Sequence, residues 1–324
     1  MVISKANEKQ LSSWDDFIDS SVNGTIFNKR RFLSYHKTKF VEGEEYLVVL
    51  NGNEVYAQIS IHVTTDETGR KHARSPYGAS YGGFIFKSNP TYKIGKSIIT
   101  AFIEYLKNSD IKSLSITQPG NFFCESPLDT FIFNLMEAGF VSISRDILNV
   151  FEIEPSRSII EQIVSSSART QIRQAQKKGI LIKNRAPVED AYPLIEATIN
   201  KFGKTPTHSF EEMKWLSANF SRDIYFVVAY FENIPIASVT NFAINKRVNS
   251  SFYISSDPAY MKLNAVRYVI SSAIQCAQDD GYKYYDFGTS TSSLVGSEPV
   301  FAIKEEFSRT GLFRESLRWS DSCE

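Results

Sequence analysis

The chain has 324 residues, and its lysines plus arginines equal its aspartates plus glutamates at 36 each. No overall charge therefore draws the protein to nucleic acid or to an anionic membrane, so any phosphate site must be built locally. Hydrophobic residues make up 42% and charged residues 22%, a balance that excludes wholesale disorder. At roughly 100–200 residues per domain, this length predicts two domains.

The cysteines and the N-terminal sequence indicate the cellular compartment of the protein. Cys124, Cys276 and Cys323 are odd in number and far apart, without a CxxC spacing. This pattern is typical of buried or inert thiols in a reduced cytosolic protein. The N-terminus lacks the apolar core of a signal peptide, and no stretch approaches the roughly 18 apolar residues of a membrane span. We therefore expect a cytoplasmic protein.

The first half of the chain predicts a hairpin, a strand, a helix and a buried strand, in that order. Two alternating apolar runs, Tyr46–Leu50 and Glu54–Val63, flank an Asn-Gly turn and predict the hairpin. A strand at Tyr81–Phe86, an amphipathic helix from Tyr92 to Leu106 and a strand at Ser113–Thr117 follow. Such an order favours a mixed sheet with helices packed on it, an α/β architecture.

The same order returns about 180 residues later, which indicates duplicated domains. Tyr225–Tyr230 and Ile236–Ile244 predict the second hairpin, and Ser251–Ser255 predicts the strand after it. A helix from Asn264 to Asp279 and a buried strand at Tyr284–Phe287 complete the second copy.

A polar segment, Glu154–Arg157, lies between the copies and is interpreted as the start of a linker. The predicted domains are therefore 1–153 and 154–324. Each is expected to be a mixed, mostly antiparallel sheet flanked by helices. The serines at 165–167 that follow are interpreted as the N-terminal cap of a helix.

That helix, from Ala168 to Lys178 with Gly179 as its C-terminal cap, carries a basic stripe. Arg169, Arg173 and Lys177 recur every four residues, so their side chains lie near one face. Such side chains can converge on one anionic group, and arginine can bind phosphate through two hydrogen bonds. The alternative is a solvated basic face.

The segment Tyr284–Ser293 ends a buried strand in a carboxylate, a glycine and a run of hydroxyls. Ligands of α/β folds bind beyond the carboxyl ends of such strands. Asp286 lies among apolar residues, so we expect it either to bind a cation or to have a raised pKa. The alternative is a buried salt bridge with an arginine of the second half.

Two further residues are candidates. Lys304 lies between Phe301 and Phe307, either at the edge of a pocket or on an amphipathic surface turn. His208 lies in a predicted loop, where it either acts near neutral pH or is a solvated residue at a helix start. The three histidines of the first half have no cysteine, aspartate or glutamate at metal-ligand spacing, so no metal site is predicted.

Three of these motifs together resemble the FemAB-like branch of the GNAT-fold N-acyltransferases. They are Arg169-Thr-Gln-Ile-Arg173-Gln-Ala-Gln-Lys-Lys-Gly179, Tyr285-Asp-Phe-Gly288 and Phe301-Ala-Ile-Lys304-Glu-Glu-Phe307, in the order and spacing of that group. Near the N-terminus, Trp14–Phe17 and Gly24–Phe27 also resemble its opening. The resemblance therefore covers nearly the whole chain.

The chain departs from the family pattern at two places. GNAT enzymes that use acyl-CoA have a glycine-containing turn whose N–H groups hold the pyrophosphate before a helix. Tyr260–Ala265 stands at that place without a glycine, which makes close backbone approach to a pyrophosphate less easy. Ser308 follows Phe307 where the family has a glycine.

The resemblance implies direct acyl transfer, in which a substrate amine attacks an activated carbonyl without a covalent enzyme intermediate. It implies acyl-CoA or aminoacyl-tRNA as the donor and an amino sugar on a nucleotide or lipid carrier as the acceptor, in cell-envelope or surface-polysaccharide synthesis. One alternative is an aminoacyl-tRNA-dependent transferase that builds peptidoglycan bridges. Another is a degenerate GNAT pair that only binds a ligand or partner.

On that resemblance, Asp286 and Lys304 are the expected catalytic residues. Asp286 orients or deprotonates the amine, while Lys304 and the basic stripe hold phosphate of the donor or acceptor. The hydroxyls of Thr289 and Ser290 are expected to orient the acceptor. The remaining substrate- or phosphate-binding candidates are His208, Tyr253, Ser255 and Asn264.

Overall fold

The structure, a computed structural model, describes residues 1–201, 203–292 and 294–321. The chain divides into two compact units. Unit 1 comprises residues 1–146 and the described residues from Phe313 on, and unit 2 comprises residues 147–312. The residues from Phe313 on, which the sequence predicted in the second domain, thus belong to unit 1.

Unit 1 is built on strands in the order β1-β2-β3-β4-β6-β15, with β5 beside β3. The strands are β1 Val2–Lys5, β2 Glu44–Asn51, β3 Glu54–Thr65, β4 Lys71–Ser75, β5 Ile85–Phe86, β6 Ile111–Thr117 and the C-terminal strand β15 Thr310–Ser320. The helices are α1 Glu8–Ser12, α2 Trp14–Asp19, α3 Arg30–Leu33, α4 Tyr92–Asn108 and α5 Asp129–Glu137, with short 3-10 turns at Ile26–Asn28, Ser34–His36 and Asn121–Phe123.

The core of unit 1 lies between its sheet and α4. Thr91 caps this helix by accepting a hydrogen bond from the N–H of Ile94, and buried residues follow at Ile98, Phe102 and Leu106. This spacing places one apolar face against β3 and β6, as the sequence predicted.

The sequence misjudged one strand of unit 1. The predicted strand Tyr81–Phe86 is reduced to β5, whereas β4, which was not predicted, takes the place in the sheet beside β6. Gly83 has a φ of +82° and interrupts the extended backbone of the predicted strand. Strand β4 escaped prediction because charged side chains alternate with small ones in it.

Unit 2 repeats the arrangement with strands in the order β7-β12-β11-β10-β9-β8. Its strands are β7 Val141–Glu152, β8 Leu181–Ala186, β9 Ile224–Phe231, β10 Ile234–Ala243, β11 Val248–Ser256 and β12 Tyr284–Thr289, with a small hairpin of β13 Thr291–Ser292 and β14 Val295–Gly296. Its helices are α6 Ile159–Gln162, α7 Ser166–Lys177, α8 Val188–Asn200, α9 Phe210–Asn219, α10 Ala265–Asp279 and α11 Glu298–Glu305, with a 3-10 turn at Pro258–Leu263.

Helices α7 and α10 share a core with β9 and β10. Ser165 caps α7 by accepting a hydrogen bond from the N–H of Ala168, and Gly179 follows its end with a φ of +79°. Both caps match the sequence prediction. The predicted duplicated, mixed and mostly antiparallel α/β fold is confirmed.

The two cysteines among the described residues are buried and form no disulfide bond. Cys124 lies in unit 1 and Cys276 in unit 2, where burial raises the pKa of the Cys276 thiol to about 11. Cys323 lies outside the described residues. Among the helices of the described chain, none is both long and apolar enough to cross a membrane.

Candidate active site

A gap between two parallel strands marks the candidate site in unit 2. Strands β11 and β12 are paired only where Val248–Ser250 lie opposite Tyr284–Asp286. Beyond that point β11 continues to Ser256 along β10, and within the described residues it pairs no further with β12. Asp286 therefore lies at the closed end of an opening between the strands.

Hydrogen bonds from Gly288 and Ser250 help to hold the carboxylate of Asp286 in place. Its side chain is buried, with 2% of the residue exposed. Oδ1 accepts a hydrogen bond of 2.8 Å from the N–H of Gly288, and Oδ2 lies 3.1 Å from the hydroxyl of Ser250. Gly288 has a φ of +70°, a left-handed conformation that favours glycine and turns its N–H back toward the carboxylate.

Lys304 supplies a buried positive charge beside that carboxylate. Its Nζ donates to the carbonyl oxygens of Gly288 at 2.9 Å and Thr289 at 2.7 Å. Burial lowers the pKa of Lys304 to about 8, although the charge of Asp286 opposes this shift. With 5% of the residue exposed, Lys304 does not lie on a surface turn, so that alternative is wrong.

The hydroxyl of Ser290, one of the predicted hydroxyls at the end of β12, has an internal partner. Ser290 donates to Oδ1 of Asn149 at 2.5 Å, and its N–H donates to the carbonyl oxygen of Ile147 at 2.8 Å. Thr289 contributes its carbonyl oxygen to Lys304. These bonds fix the end of β12 against β7. Ser293, part of the same predicted run, lies outside the described residues.

His208 and Tyr253 come together on the side of β11 that faces α8. Nδ1 of His208 lies 3.1 Å from the hydroxyl of Tyr253, which also accepts the backbone N–H of His208 at 3.2 Å. Only 2% of His208 is exposed, so the solvated alternative is wrong. Burial raises the pKa of Tyr253.

Ser255 belongs to a buried group of hydroxyls on the same face. It lies opposite Ser238 of β10, and Thr240 lies opposite Tyr253. Within the described chain, the hydroxyls of Ser255, Ser238 and Thr240 are buried without a hydrogen-bond partner. A group of this kind offers donors and acceptors to a polar molecule.

The basic stripe divides into two parts. Arg169 is half-buried and donates to the carbonyl oxygen of Ile163 at 2.6 Å, so it ties the start of α7 to the preceding turn. Arg173 and Lys177 are exposed on α7. Only these two side chains therefore keep their full donor capacity for an anion.

Asn264 occupies the turn that lacks the family's glycine. It adopts a left-handed conformation with a φ of +61° directly before α10, which is the conformation that glycine favours. Its Nδ2 lies 3.5 Å from Oε1 of Gln174, and Lys178 donates to the carbonyl oxygen of Lys262 at 2.6 Å. The end of α7 is therefore next to the start of α10.

Sequence reasoning missed the residues that support the site. Ser250 and Asn149 contact Asp286 and Ser290 across strands, and no local motif marks them. Arg267 of α10 forms two bonds of 2.7 Å to Glu306, which fixes α11 and therefore Lys304. In the described residues, no group of three or more His, Cys, Asp or Glu is arranged to hold a metal ion.

Comparisons with known proteins agree with this geometry. Residues 165–299 match the model of the acetyltransferase (GNAT) domain family. No curated protein matches the chain. The crystal structure of FemX, at 11% identity, aligns over 99% of this chain and 98% of its own with a TM-score of 0.72.

Two further structures align over nearly the whole chain. The C-terminal domain of a putative lysylphosphatidylglycerol synthetase from Agrobacterium fabrum has 9% identity and a TM-score of 0.58, with coverage of 97% and 92%. A tandem GNAT protein from the clavulanic acid biosynthesis pathway has 10% identity and a TM-score of 0.53, with coverage of 98% and 97%. At these identities the structural matches show the fold.

The matched segment 165–299 contains both strands of the opening and the carboxylate at its closed end. The predicted resemblance to the FemAB-like branch and the predicted enzyme class are confirmed. Residues 165–299 thus form a GNAT acyltransferase domain, and the fold of the whole chain is similar to that of FemX.

Proposed function

We propose that unit 2 transfers an acyl or aminoacyl group to the amine of an acceptor, with the donor carbonyl in the opening between β11 and β12. The observation that carries this proposal is the divergence of the two parallel strands at a buried carboxylate and a buried lysine. Among the described residues, β11 beyond Ser250 forms no ladder pairs on this side, so its N–H groups there can donate to a carbonyl oxygen.

In the proposed reaction the acceptor nitrogen bonds to the donor carbonyl carbon, and the bond from that carbon to the leaving sulfur or oxygen breaks. Asp286, whose carboxylate is positioned by Gly288 and Ser250, accepts a hydrogen bond from the attacking amine. The nearby charge of Lys304 favours the developing negative charge on the carbonyl oxygen or the leaving group. The amine proton leaves through Asp286.

For the donor, we propose acyl-CoA or aminoacyl-tRNA, both of which carry phosphate. The exposed Arg173 and Lys177 support this, because the end of α7 lies next to the start of α10. Mass spectrometry of ligand that co-purifies with the protein distinguishes the two donors. A CoA thioester selects the first, and bound tRNA selects the second.

For the acceptor, we propose an amino sugar on a nucleotide or lipid carrier, within cell-envelope synthesis in the cytoplasm. The buried hydroxyls of Ser238, Thr240 and Ser255, with His208 and Tyr253, support an acceptor rich in hydroxyl groups. An apolar acceptor would leave those groups without partners, which is costly.

Asp286→Asn tests the proposal because it keeps the size of the side chain and removes its charge. We expect the variant to fold and its turnover to fall about 10²-fold or more, as for a lost acid/base group. Turnover is measured by mass spectrometry as the rate at which N-acylated product forms. The donors are a panel of acyl-CoA thioesters and aminoacyl-tRNAs, and the acceptors are amino sugars. Asp280→Asn, which removes an exposed partner of Arg185, is the matched control.

Thermal melting of both variants separates catalysis from stability. If Asp286 serves only as the partner of a buried cation, its replacement costs about 3–5 kcal/mol of stability. A much lower melting temperature with normal turnover in the folded fraction would contradict the catalytic assignment. A wild-type chain that binds donor and acceptor without forming product would favour a binding protein.

A further inference from the structure

A groove of about 490 Å³ lies on one face of the sheet of unit 1. The opposite face of this sheet is apolar and buries Ala73, Leu114 and Leu317 in the core. The neighbouring residues of the same strands alternate to the groove face. Its basic lining residues are Arg70, His72, Arg74, Lys112 and Arg318, and its hydroxyl residues are Thr64, Ser113, Ser115 and Ser320.

Strand pairing aligns two arginines with a serine between them. Arg74 of β4 lies opposite Ser115 of β6, and Ser115 lies opposite Arg318 of β15. Because adjacent strands are about 4.8 Å apart, the Cα atoms of the two arginines lie roughly 10 Å apart. Arg318 uses Nε to bind the hydroxyl of Ser115 at 3.1 Å, which aligns its guanidinium along the row.

The charges around the groove do not cancel at this row. Lys112 is paired with Asp110 at 2.9 Å, and His72 with Asp66 at 2.9 Å. Asp321 at the rim lies 3.5 Å from Lys107. Among the residues that the structure describes, no carboxylate lies within salt-bridge distance of Arg74 or Arg318.

A neighbouring histidine responds to this charge. His62 lies opposite Arg74 on β3, and burial together with the positive charge of Arg74 lowers its pKa. The positive charge of Arg74 is therefore felt at His62 on β3. A sheet face that keeps two unneutralised guanidinium groups beside hydroxyl donors has the composition of an oxyanion site.

We infer that this groove binds the phosphate or diphosphate group of a small molecule. Arg74 and Arg318 hold the anion from two sides, and the hydroxyl of Ser115, which accepts from Nε of Arg318, donates from the sheet between them. The volume is in the range of roughly 300–1,000 Å³ that small-molecule sites have. The site belongs to unit 1 and stands apart from the function proposed for unit 2.

Isothermal titration of the full chain with sodium pyrophosphate tests the site. We expect the affinity of Arg74→Gln with Arg318→Gln to be at least about tenfold weaker than that of the wild type, because each arginine supplies charge-assisted hydrogen bonds. Lys93→Gln removes an exposed charge from α4, outside the groove, and should leave the affinity unchanged. Asp286→Asn should also bind as the wild type does, so failure of one proposal does not imply failure of the other.

Three outcomes would overturn the inference. The first is wild-type affinity in the double variant while its melting temperature is normal. The second is an equal loss in Lys93→Gln, which would mean that only overall charge matters. The third is tighter binding of a single-stranded RNA oligonucleotide than of pyrophosphate, increasing with length and lost in the double variant, which would identify a nucleic-acid surface instead.

Discussion

The two units share one order of elements, but their pairs of parallel strands end differently. In unit 1, β4 and β6 stay paired from Lys71 to Ser75. The chain then returns beside β6, where Gly82 donates to the carbonyl oxygen of Thr117 at 2.9 Å and the side chain of Gln118 bonds both backbone groups of Phe84. In unit 2, the corresponding pair β11 and β12 separates after Ser250.

Glycines allow the close return of the chain in unit 1. A Cβ at Gly83 would collide with Oε1 of Gln118, and one at Gly82 would lie 2.5 Å from the hydroxyl of Ser75. Only glycine lets the returning chain fill the space beyond β4. At Gly288 of unit 2 the nearest atom to such a Cβ is the carbonyl oxygen of Ser251 at 4.0 Å. One topology thus gives a filled strand end in one unit and an opening in the other.

Removing the positive charge of Lys304 should have the largest effect. Lys304→Met should lower kcat/KM about 10²-fold, because the site loses the cation beside Asp286. In the wild type, kcat/KM should fall about tenfold per pH unit above the Lys304 pKa of about 8. Lys283→Met, at the other end of β12, is the control. An inflection near pH 8 that survives in Lys304→Met would contradict this role.

The same pKa predicts how stability changes with pH. Below pH 8 the folded and unfolded chains both hold the lysine proton, whereas between pH 8 and the usual pKa of 10.5 only the unfolded chain holds it. The free energy of unfolding should therefore rise across this window relative to Lys304→Met. The gain is up to about 3 kcal/mol, at about 1.36 kcal/mol per pKa unit. Urea unfolding at pH 7 and pH 10 measures it.

Alanine at Gly83 of unit 1 and at Gly288 of unit 2 should distinguish an effect on packing from an effect on binding. Gly83→Ala should cost about 2–4 kcal/mol of stability, because it adds a steric clash to a left-handed backbone, and turnover of the folded fraction should stay normal. Gly288→Ala should cost only about 1–2 kcal/mol for its φ of +70° but should weaken donor binding. Equal melting temperatures with equal loss of turnover would contradict the comparison.

The basic stripe should give the smallest effect. Arg173→Gln should raise the KM for a phosphorylated donor several-fold with a milder change in kcat, since it removes one exposed phosphate donor. Arg169→Gln should instead lower the melting temperature, because Arg169 binds the carbonyl oxygen of Ile163. Unchanged kinetics in both variants would leave the stripe as a solvated face.

The sequence by itself determined the repeated hairpins, the main helices and the buried strands that follow them, but not β4. The Asn-Gly hairpin, the periodic helix α4 and the capped helix α7 are local features, and they lie close to where the sequence predicted them. It also marked Asp286 and Lys304, because a carboxylate in an apolar strand and a lysine between two aromatics are unusual in any context. These signals depend on neighbours in the chain, which a sequence displays directly.

The tertiary structure decided what each of these residues contacts. Ser250 meets Asp286 through the register of two parallel strands, and Arg318 joins Arg74 because the last strand returns to unit 1. The space beyond β4 is filled by the returning chain, whereas the space between β11 and β12 stays open. This difference depends on whether another part of the backbone can approach, which is a steric property of the folded chain. Local propensity carries no information about such pairings, because register and close approach are fixed only when the whole sheet forms.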